Sequence, residues 1–174
     1  MEQKNVVLIG MPGCGKSTIG VVLAKVLGYE FTDSDLLIQK REGKLLREII
    51  AQKGEDGFLQ IENIVNAGIQ TQQHVIATGG SVVYCQDAME HLKNIGTVVY
   101  LKLSYATICS RLGNIRRRGV VLKDGQTLKD LYDERVPLYE RYADIVVDAE
   151  GQDVEGLMDE VIKALERKQE ENAL

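Results

Sequence analysis

Cysteine and histidine are scarce in this chain. Its three cysteines, Cys14, Cys85 and Cys109, are an odd number at widely separated positions. Their spacing matches neither a disulfide framework nor a zinc-binding pattern, so we expect free thiols in a reducing compartment. The two histidines, His74 and His91, have no neighbours in sequence that suggest metal binding or acid–base chemistry. We therefore expect both histidines to be structural.

Excess positive charge and long apolar runs are also missing. The formal net charge is −5 at pH 7, which argues against a broad basic surface for nucleic acid. No apolar stretch approaches membrane-spanning length, and the first predicted strand begins too early, at Asn5, to leave room for a cleaved signal peptide. We expect a cytoplasmic monomer with no nucleic-acid or membrane partner.

Internal repeats and low-complexity segments are absent as well. Apolar residues make up 44% of the sequence and charged residues 27%, which is typical of a globular protein and excludes a wholly disordered chain. A length of 174 residues suits one domain with a sizeable core. We expect residues 1–174 to form a single domain.

A complete phosphate-binding motif lies near the start of the chain. Residues 10–17, GMPGCGKS, match the G-x-x-x-x-G-K-[ST] pattern and directly follow the first predicted strand. The glycines allow backbone N–H groups to surround an anion, Lys16 can reach the terminal phosphates, and Ser17 can ligate magnesium. The motif predicts binding of a nucleoside triphosphate, and the residues expected to contact it here are Gly13, Cys14, Gly15, Lys16, Ser17 and Thr18.

Two interpretations of Cys14 remain open. It lies near a helix N-terminus, where a thiolate is stabilised, so it is a candidate for oxidation. The simpler interpretation is a small side chain that fills space in the loop.

Apolar, β-rich segments alternate with helical patterns along the chain. The predicted strands are residues 5–9, 29–32, 74–77, 97–103 and 145–147. Stretches with helical periodicity separate them, which predicts an α/β fold with a parallel sheet wrapped by helices. Two helices, 36–52 and 58–69, are predicted between the second and third strands, with a polar turn at 53–57. The extra helix suggests an inserted substrate-binding arm at about residues 34–62.

A loop with little periodicity covers about residues 113–126. It carries Arg116, Arg117 and Arg118, and such a charge run is usually a solvated patch. Beside a phosphate site, arginines in a flexible loop can instead close over a transferring phosphoryl group and exclude water. We therefore predict a lid here.

Two carboxylates follow the second predicted strand in the motif Asp33-Ser34-Asp35. Phosphate-loop enzymes place a carboxylate near the magnesium, at the carboxyl end of a strand beside the loop, and the third and fourth predicted strands do not end in an acid. Asp33 and Asp35 can face the metal and the acceptor separately. Alternatively, Asp35 caps the helix that follows it. The turn Gly79-Gly80 after the third strand lets a ligand approach the backbone at the same sheet edge.

Together these motifs resemble the shikimate kinase family. The resemblance covers the chain from Asn5 to about Leu165, and the order and spacing of the motifs are more specific than any one of them. The residues that carry it are the phosphate loop, Asp33-Ser34-Asp35, the segment with Gly54, Glu55, Phe58 and Glu62, the turn Ala77-Thr78-Gly79-Gly80, and Arg135-Val136-Pro137-Leu138-Tyr139.

The resemblance implies a three-layer αβα P-loop kinase fold of the nucleoside monophosphate kinase type, with a five-stranded parallel sheet, a lid and a substrate-binding arm. It also implies ATP and Mg²⁺ as cofactors. The implied reaction transfers the γ-phosphate to a hydroxyl of shikimate, giving shikimate 3-phosphate for aromatic amino acid biosynthesis.

On the nucleotide side, the resemblance implies that Lys16 holds the phosphates, Ser17 binds the metal and Asp33 supports the metal's water shell. Arg111 would stack near adenine, and Arg117 would close from the lid.

On the acceptor side, the resemblance implies that Asp35 grips the acceptor's hydroxyls and takes a proton. Gly79 and Gly80 would line the acceptor site, and Arg135 would pair with the substrate carboxylate. A loose transition state for phosphoryl transfer is stabilised mainly by positioning and charge neutralisation, so the cationic groups contribute more to catalysis than the base does.

Three departures from the family pattern fall on the acceptor side or the lid. Leu59 stands where the family usually has a second arginine for the carboxylate, and Ser81 replaces the third glycine of the turn. The lid, residues 116–121, lacks the usual proline and leucines, so any of its three arginines could be the active one. Nearby cations could compensate for Leu59; they are Arg41, Lys44 and Arg47.

These departures keep two alternatives open. One is a kinase for another small hydroxylated carboxylic acid, and the other is a nucleotide-binding regulatory module without catalysis. A nucleoside monophosphate kinase is disfavoured because the acid pair would repel an acceptor phosphate.

Overall fold

The computed structural model describes residues 4–112, 120 and 122–173, which form an α/β fold around a five-stranded parallel sheet. The strands are β1 (Asn5–Ile9), β2 (Glu30–Asp33), β3 (His74–Ala77), β4 (Gly96–Lys102) and β5 (Ile145–Asp148). The helices are α1 (Lys16–Leu27), α2 (Ser34–Glu42), α3 (Leu46–Ala67), α4 (Gln86–Ile95), α5 (Tyr105–Arg111), α6 (Leu128–Tyr142) and α7 (Val154–Asn172). None of the described helices is long and apolar enough to cross a membrane.

The strand order is β2-β3-β1-β4-β5, and every pairing is parallel. β1 lies at the centre, and all five of its residues are buried. A central strand buried on both faces requires helices on both sides of the sheet, which explains its continuous apolar run. The predicted α/β fold and its five parallel strands are confirmed, with shifts of one residue at several strand ends.

The predicted arm differs from the structure at its first helix. The single helix predicted over residues 36–52 is wrong, because α2 ends at Glu42 and α3 begins at Leu46. Gly43 adopts a left-handed conformation with φ 66° and closes α2, since its N–H donates to Gln39 O. The predicted break at 53–57 is a kink at Gly54 (φ 70°, ψ −176°) inside α3 rather than an open turn.

The phosphate loop and the second and third strands meet at one edge of the sheet. The loop follows β1, Asp33 ends β2, and residues 78–81 follow β3. Because β2, β3 and β1 are neighbours in the sheet, their carboxyl ends lie side by side. The predicted lid arginines, Arg116, Arg117 and Arg118, lie outside the described residues.

Candidate active site

A cleft of about 440 Å³ opens at this sheet edge. Segments that follow β1, β2 and β3 form its walls, and α3, α5 and α6 add further side chains. The lining residues include the predicted Gly13, Gly15, Lys16, Ser17, Thr18, Asp35, Gly79, Gly80, Arg111 and Arg135. Apart from Cys14 and Asp33, which do not line it, one cleft therefore brings together the predicted phosphate-binding and acceptor-binding residues of the described chain.

The phosphate loop is already curved for an anion. Gly13 and Gly15 have φ values of 79° and 100°, which favour glycine, and α1 begins at Lys16 directly after them. The Lys16 ammonium donates to Gly10 O at 2.7 Å and to Met11 O at 3.0 Å, so it spans the loop. Positive backbone groups and one ammonium thus converge on the same space.

Cys14 is buried beneath this loop, with 1% of its surface exposed. Its Sγ lies 3.7 Å from Lys16 Nζ, and a Cβ on Gly10 would lie 2.8 Å from the same sulfur. The side chain therefore packs under the loop, while its backbone belongs to the phosphate-binding turn. This geometry agrees with the space-filling interpretation.

Ser17 and Asp33 form a pair of hard oxygen groups beside the loop. The Ser17 hydroxyl donates to Asp33 Oδ2 at 2.9 Å. Asp33 Oδ1 accepts from the backbone N–H groups of Asp35 and Leu36, at 3.0 and 3.3 Å, and so caps α2. The capping residue is Asp33, which leaves the Asp35 side chain available for the cleft. The described residues contain no cluster of three acidic, cysteine or histidine ligands.

Asp35 faces Gly79 across the acceptor end of the cleft. A Cβ added to Gly79 would lie 2.7 Å from Asp35 Oδ1, so this close approach requires glycine. Burial and the nearby Asp33 raise the pKa of Asp35 to about 6, and Lys16 opposes the rise. The carboxyl is therefore ionised above this pH and able to accept a hydrogen bond from an alcohol.

Glu62 is a site residue to which the sequence patterns assigned no role. It is fully buried, and its Oε1 would lie 2.7 Å from a Cβ on Gly79, the same distance as Asp35 Oδ1. The Ser81 hydroxyl donates to Glu62 Oε2 at 2.6 Å, while Oε1 has no hydrogen-bond partner within the described residues. A signal was present, since Glu62 lies four residues after Phe58, which faces the core on the same helix.

The pKa of Glu62 is raised to about 7. Burial is the largest cause, and the Asp35 charge adds to it; the Ser81 hydrogen bond, Arg135 and Lys16 oppose the rise. Two carboxyls with raised pKa values thus share the space around Gly79. Such clustering is typical of functional sites.

Arg135 reaches the cleft from α6 and is 1% exposed. Its guanidinium carbon lies 5.3 Å from the ring centroid of Tyr84, and its Nη1 would lie 3.0 Å from a Cβ on Gly80. Tyr139 is buried, stacks on Tyr100 and donates its hydroxyl to Gly80 O at 2.5 Å. Tyr139 therefore packs in the core and also fixes the backbone of the turn after β3.

Arg111 ends α5 and approaches the phosphate loop. Its Nη1 donates to Gly13 O at 3.3 Å, which places the guanidinium on the nucleotide side of the cleft. His74 and His91 have structural partners, as expected: His74 contacts the Thr32 hydroxyl at 2.8 Å, and His91 contacts Ile69 O at 2.7 Å.

Leu59 does not line the cleft; it is partly buried and packs against both hydrophobic clusters of the core. The expected replacements for the missing arginine do not line it either. Lys44 donates to Gln52 Oε1 at 2.5 Å, Arg41 pairs with Glu42 at 3.7 Å, and Arg47 is absent from the cleft wall. Among the described cleft residues, Arg135 is the cation at the acceptor end, while Lys16 and Arg111 lie beside the phosphate loop.

Comparisons with known proteins identify a family. The family model described as shikimate kinase matches residues 12–166. The shikimate kinase of Thermodesulfovibrio yellowstonii is 37% identical over 94% of this chain and 96% of that protein. The shikimate kinase of Thiobacillus denitrificans is 38% identical over 90% of this chain and 87% of that protein.

Solved structures give the same result. Shikimate kinase from Acinetobacter baumannii, in complex with shikimate, matches with a TM-score of 0.86 and 30% identity over 95% of this chain and 94% of that one. A gluconokinase from Sinorhizobium meliloti matches with a TM-score of 0.60 and 18% identity over 99% and 97%, which shows a shared fold alone. Because these matches cover nearly the whole chain, the chain belongs to the shikimate kinase family of ATP-using phosphotransferases that act on an alcohol group.

Proposed function

We propose that this chain transfers the γ-phosphate of ATP to a hydroxyl of shikimate, with Lys16, Ser17, Asp33, Asp35 and Arg135 carrying the reaction. One observation supports this above all: the phosphate loop and the Asp35–Gly79 contact face the same cleft. The shikimate complex of the Acinetobacter baumannii relative supports the choice of acceptor.

On the nucleotide side, the loop amides of Gly13, Gly15 and Lys16 surround the phosphates, and the Lys16 ammonium neutralises their charge. To do so, the ammonium exchanges its bonds to Gly10 O and Met11 O for phosphate oxygens. Arg111 lies beside Gly13 and is placed to cover the nucleotide.

The oxygens of Ser17 and Asp33 suit Mg²⁺, which prefers few protein ligands together with water and phosphate oxygens. When bound, the ion would neutralise charge on the β- and γ-phosphates. Ser17 would then offer a lone pair to the ion while its hydroxyl hydrogen stays directed at Asp33, and Asp33 would hold the water shell while it caps α2.

On the acceptor side, Asp35 accepts a hydrogen bond from the reacting hydroxyl and orients it toward the γ-phosphate. Gly79 and Gly80 keep the wall free of side chains, and Arg135 pairs with the carboxylate. In the transfer, the bond from the acceptor oxygen to the γ-phosphorus forms while the bond to the β–γ bridging oxygen breaks. The hydroxyl proton passes to Asp35.

A direct test is an ADP-release assay with shikimate, quinate and gluconate as separate acceptors. We expect turnover with shikimate, and its loss in Lys16→Ala, where phosphate charge is no longer neutralised. Turnover of another acid without turnover of shikimate would refute the acceptor; ATP binding without phosphorylation of any acid would indicate a regulatory module.

A second acceptor is considered because position 59 is a leucine rather than an arginine. Arg135 is then the single cation at the acceptor end of the described cleft. A hydroxylated acid bound through fewer charge contacts is therefore the alternative substrate.

We further propose a cytoplasmic monomer. The three cysteines are all free, Cys14 and Cys85 buried and Cys109 exposed, which suits a reducing compartment. Sedimentation of the purified protein tests the monomer, and a dimer at micromolar concentration would refute it.

A further inference from the structure

Tyr84 is a cleft neighbour that the proposed reaction leaves without a role. It ends the short 3₁₀ helix Val82–Tyr84, which follows the acceptor glycines, and its ring lies 5.3 Å from the guanidinium carbon of Arg135. A guanidinium within about 6 Å of an aromatic centroid is attracted to the ring, and more strongly where water is excluded. Arg135 is 1% exposed, so water is excluded here.

A hydrogen bond to Glu134 fixes the position of the Tyr84 ring. The Tyr84 hydroxyl donates to Glu134 Oε1 at 2.6 Å. Glu134 is itself contacted by Gln126, whose Nε2 lies 3.3 Å from Oε2, and by Lys123, whose Nζ lies 3.9 Å from Oε1. The hydrogen bond joins the turn after β3 to α6, the helix that carries Arg135.

Gly80 forms a second wall around the same guanidinium. A Cβ on Gly80 would lie 3.0 Å from Arg135 Nη1, and Tyr139 fixes the Gly80 backbone through its hydroxyl. Arg135 is therefore confined between the Tyr84 side chain and Gly80, and the hydroxyls of Tyr84 and Tyr139 also interact with it. Because Leu59 packs against the core and supplies no charge to the cleft, the orientation of the Arg135 guanidinium decides how an acceptor carboxylate is held.

We propose that Tyr84 and Glu134 are positioning residues for Arg135: the ring holds the guanidinium, and the Tyr84–Glu134 hydrogen bond holds the ring. This inference rests on the proposed function, in which Arg135 pairs with the acceptor carboxylate. It adds two residues that set acceptor affinity without touching the acceptor.

The test separates the ring from the hydroxyl. Tyr84→Leu removes the ring, and we expect it to raise KM for shikimate about tenfold, the size of a partly desolvated cation–π contact. Tyr84→Phe keeps the ring and removes the hydroxyl, with its bond to Glu134 and its contact with Arg135, so a rise of about threefold is expected, equal to roughly 0.7 kcal/mol. KM for ATP should stay unchanged in both variants.

Tyr142 provides a matched control. Its ring lies 5.7 Å from the guanidinium carbon of Arg141 on the same helix, and neither residue lines the cleft. Tyr142→Leu should leave both KM values unchanged. An equal rise in KM for shikimate in Tyr142→Leu would show a general effect on α6 and overturn the proposal.

Methyl shikimate, which lacks the carboxylate charge, gives the decisive comparison. Its affinity, measured as KM or as an inhibition constant against shikimate, should be the same in the unmodified protein and in Tyr84→Leu. An equal loss for the ester and the acid would overturn the proposal. Should Tyr84→Leu fail to fold, the Phe variant alone decides, and an unchanged KM for shikimate refutes the role.

The two proposals fail in different ways. No turnover of shikimate by the unmodified protein defeats the proposed function, and the positioning role with it. If the unmodified protein phosphorylates shikimate and neither Tyr84 variant changes KM for shikimate, only the positioning role is refuted.

Discussion

The Ser81 hydroxyl donates a 2.6 Å hydrogen bond to the buried carboxyl of Glu62. Ser81 stands where the resemblance implies a third glycine, and Glu62 belongs to the same helix as Leu59, where the resemblance implies an arginine. The Ser81 bond favours the charged form of Glu62, because it opposes the rise in the Glu62 pKa caused by burial. One of the departures from the family pattern, Ser81, is thus bonded directly to a buried carboxyl beside Gly79.

Removal of this hydrogen bond should destabilise the protein mainly at high pH. We expect Ser81→Ala to cost about 2 kcal/mol of unfolding free energy at pH 8, where Glu62 is charged, and less at pH 5, where it is protonated. Urea denaturation at both pH values measures the difference. Ser110→Ala, which removes an exposed hydroxyl bonded to Thr107 O, is the matched control and should show a small, pH-independent effect. A Ser81→Ala cost that is equal at both pH values would contradict the account.

Glu62 itself should make stability fall as pH rises. Its pKa is about 7 in the folded protein and 4.5 when unperturbed, so between these values the folded state binds the proton that the unfolded state has released. The contribution is absent below about pH 4.5 and reaches about 3 kcal/mol of destabilisation above pH 7. We expect Glu62→Gln to gain stability over the unmodified protein progressively through this window.

Denaturation curves from pH 4 to pH 8 measure that gain, with Glu160→Gln as a control at an exposed carboxyl on α7. A difference between Glu62→Gln and the unmodified protein that does not change with pH would show that Glu62 titrates normally. A loss at pH 8 would mean that the charged carboxyl stabilises the fold.

Gly79→Ala tests the space between the two carboxyls. The added Cβ would lie 2.7 Å from Asp35 Oδ1 and from Glu62 Oε1, so at least one carboxyl must move. Because displacement of a reacting group by about 1 Å can cost on the order of 100-fold, we expect kcat/KM for shikimate to fall by about that factor. ATP binding, measured by calorimetry, should be retained, since the phosphate loop is untouched. Near-normal turnover would place the acceptor away from Gly79.

The sequence was sufficient to predict the sheet and the phosphate loop, for local reasons. Buried parallel strands such as β1 are continuous apolar runs, and the loop depends on glycines at fixed spacing. The break at Gly43 was missed because the apolar spacing of the arm continues across it. Tyr84 and Glu62 were given no role because their importance depends on contacts with Arg135 and Gly79, which are distant in sequence.

Leu59→Arg tests whether the missing cation limits acceptor binding. Leu59 lies outside the cleft and precedes Glu62 by three residues on α3, so an arginine introduced there must turn away from the core and extend past the Glu62 carboxyl to meet the acceptor carboxylate. We expect KM for shikimate to fall about tenfold, because a hydrogen bond to a charged group is worth about 1.5 kcal/mol or more. KM for ATP should not change.

The Ser81→Gly background sharpens this test, since the Ser81 hydroxyl occupies Oε2, one of the two Glu62 oxygens that a bidentate arginine would contact. If Ser81 has taken the place of a cationic partner, Leu59→Arg should lower KM further in Ser81→Gly than in the unmodified protein, and the two substitutions should be non-additive. Additive effects would mean that Ser81 and position 59 act independently. An unchanged KM in both backgrounds would mean that Arg135, held by Tyr84, already supplies the charge that the acceptor needs.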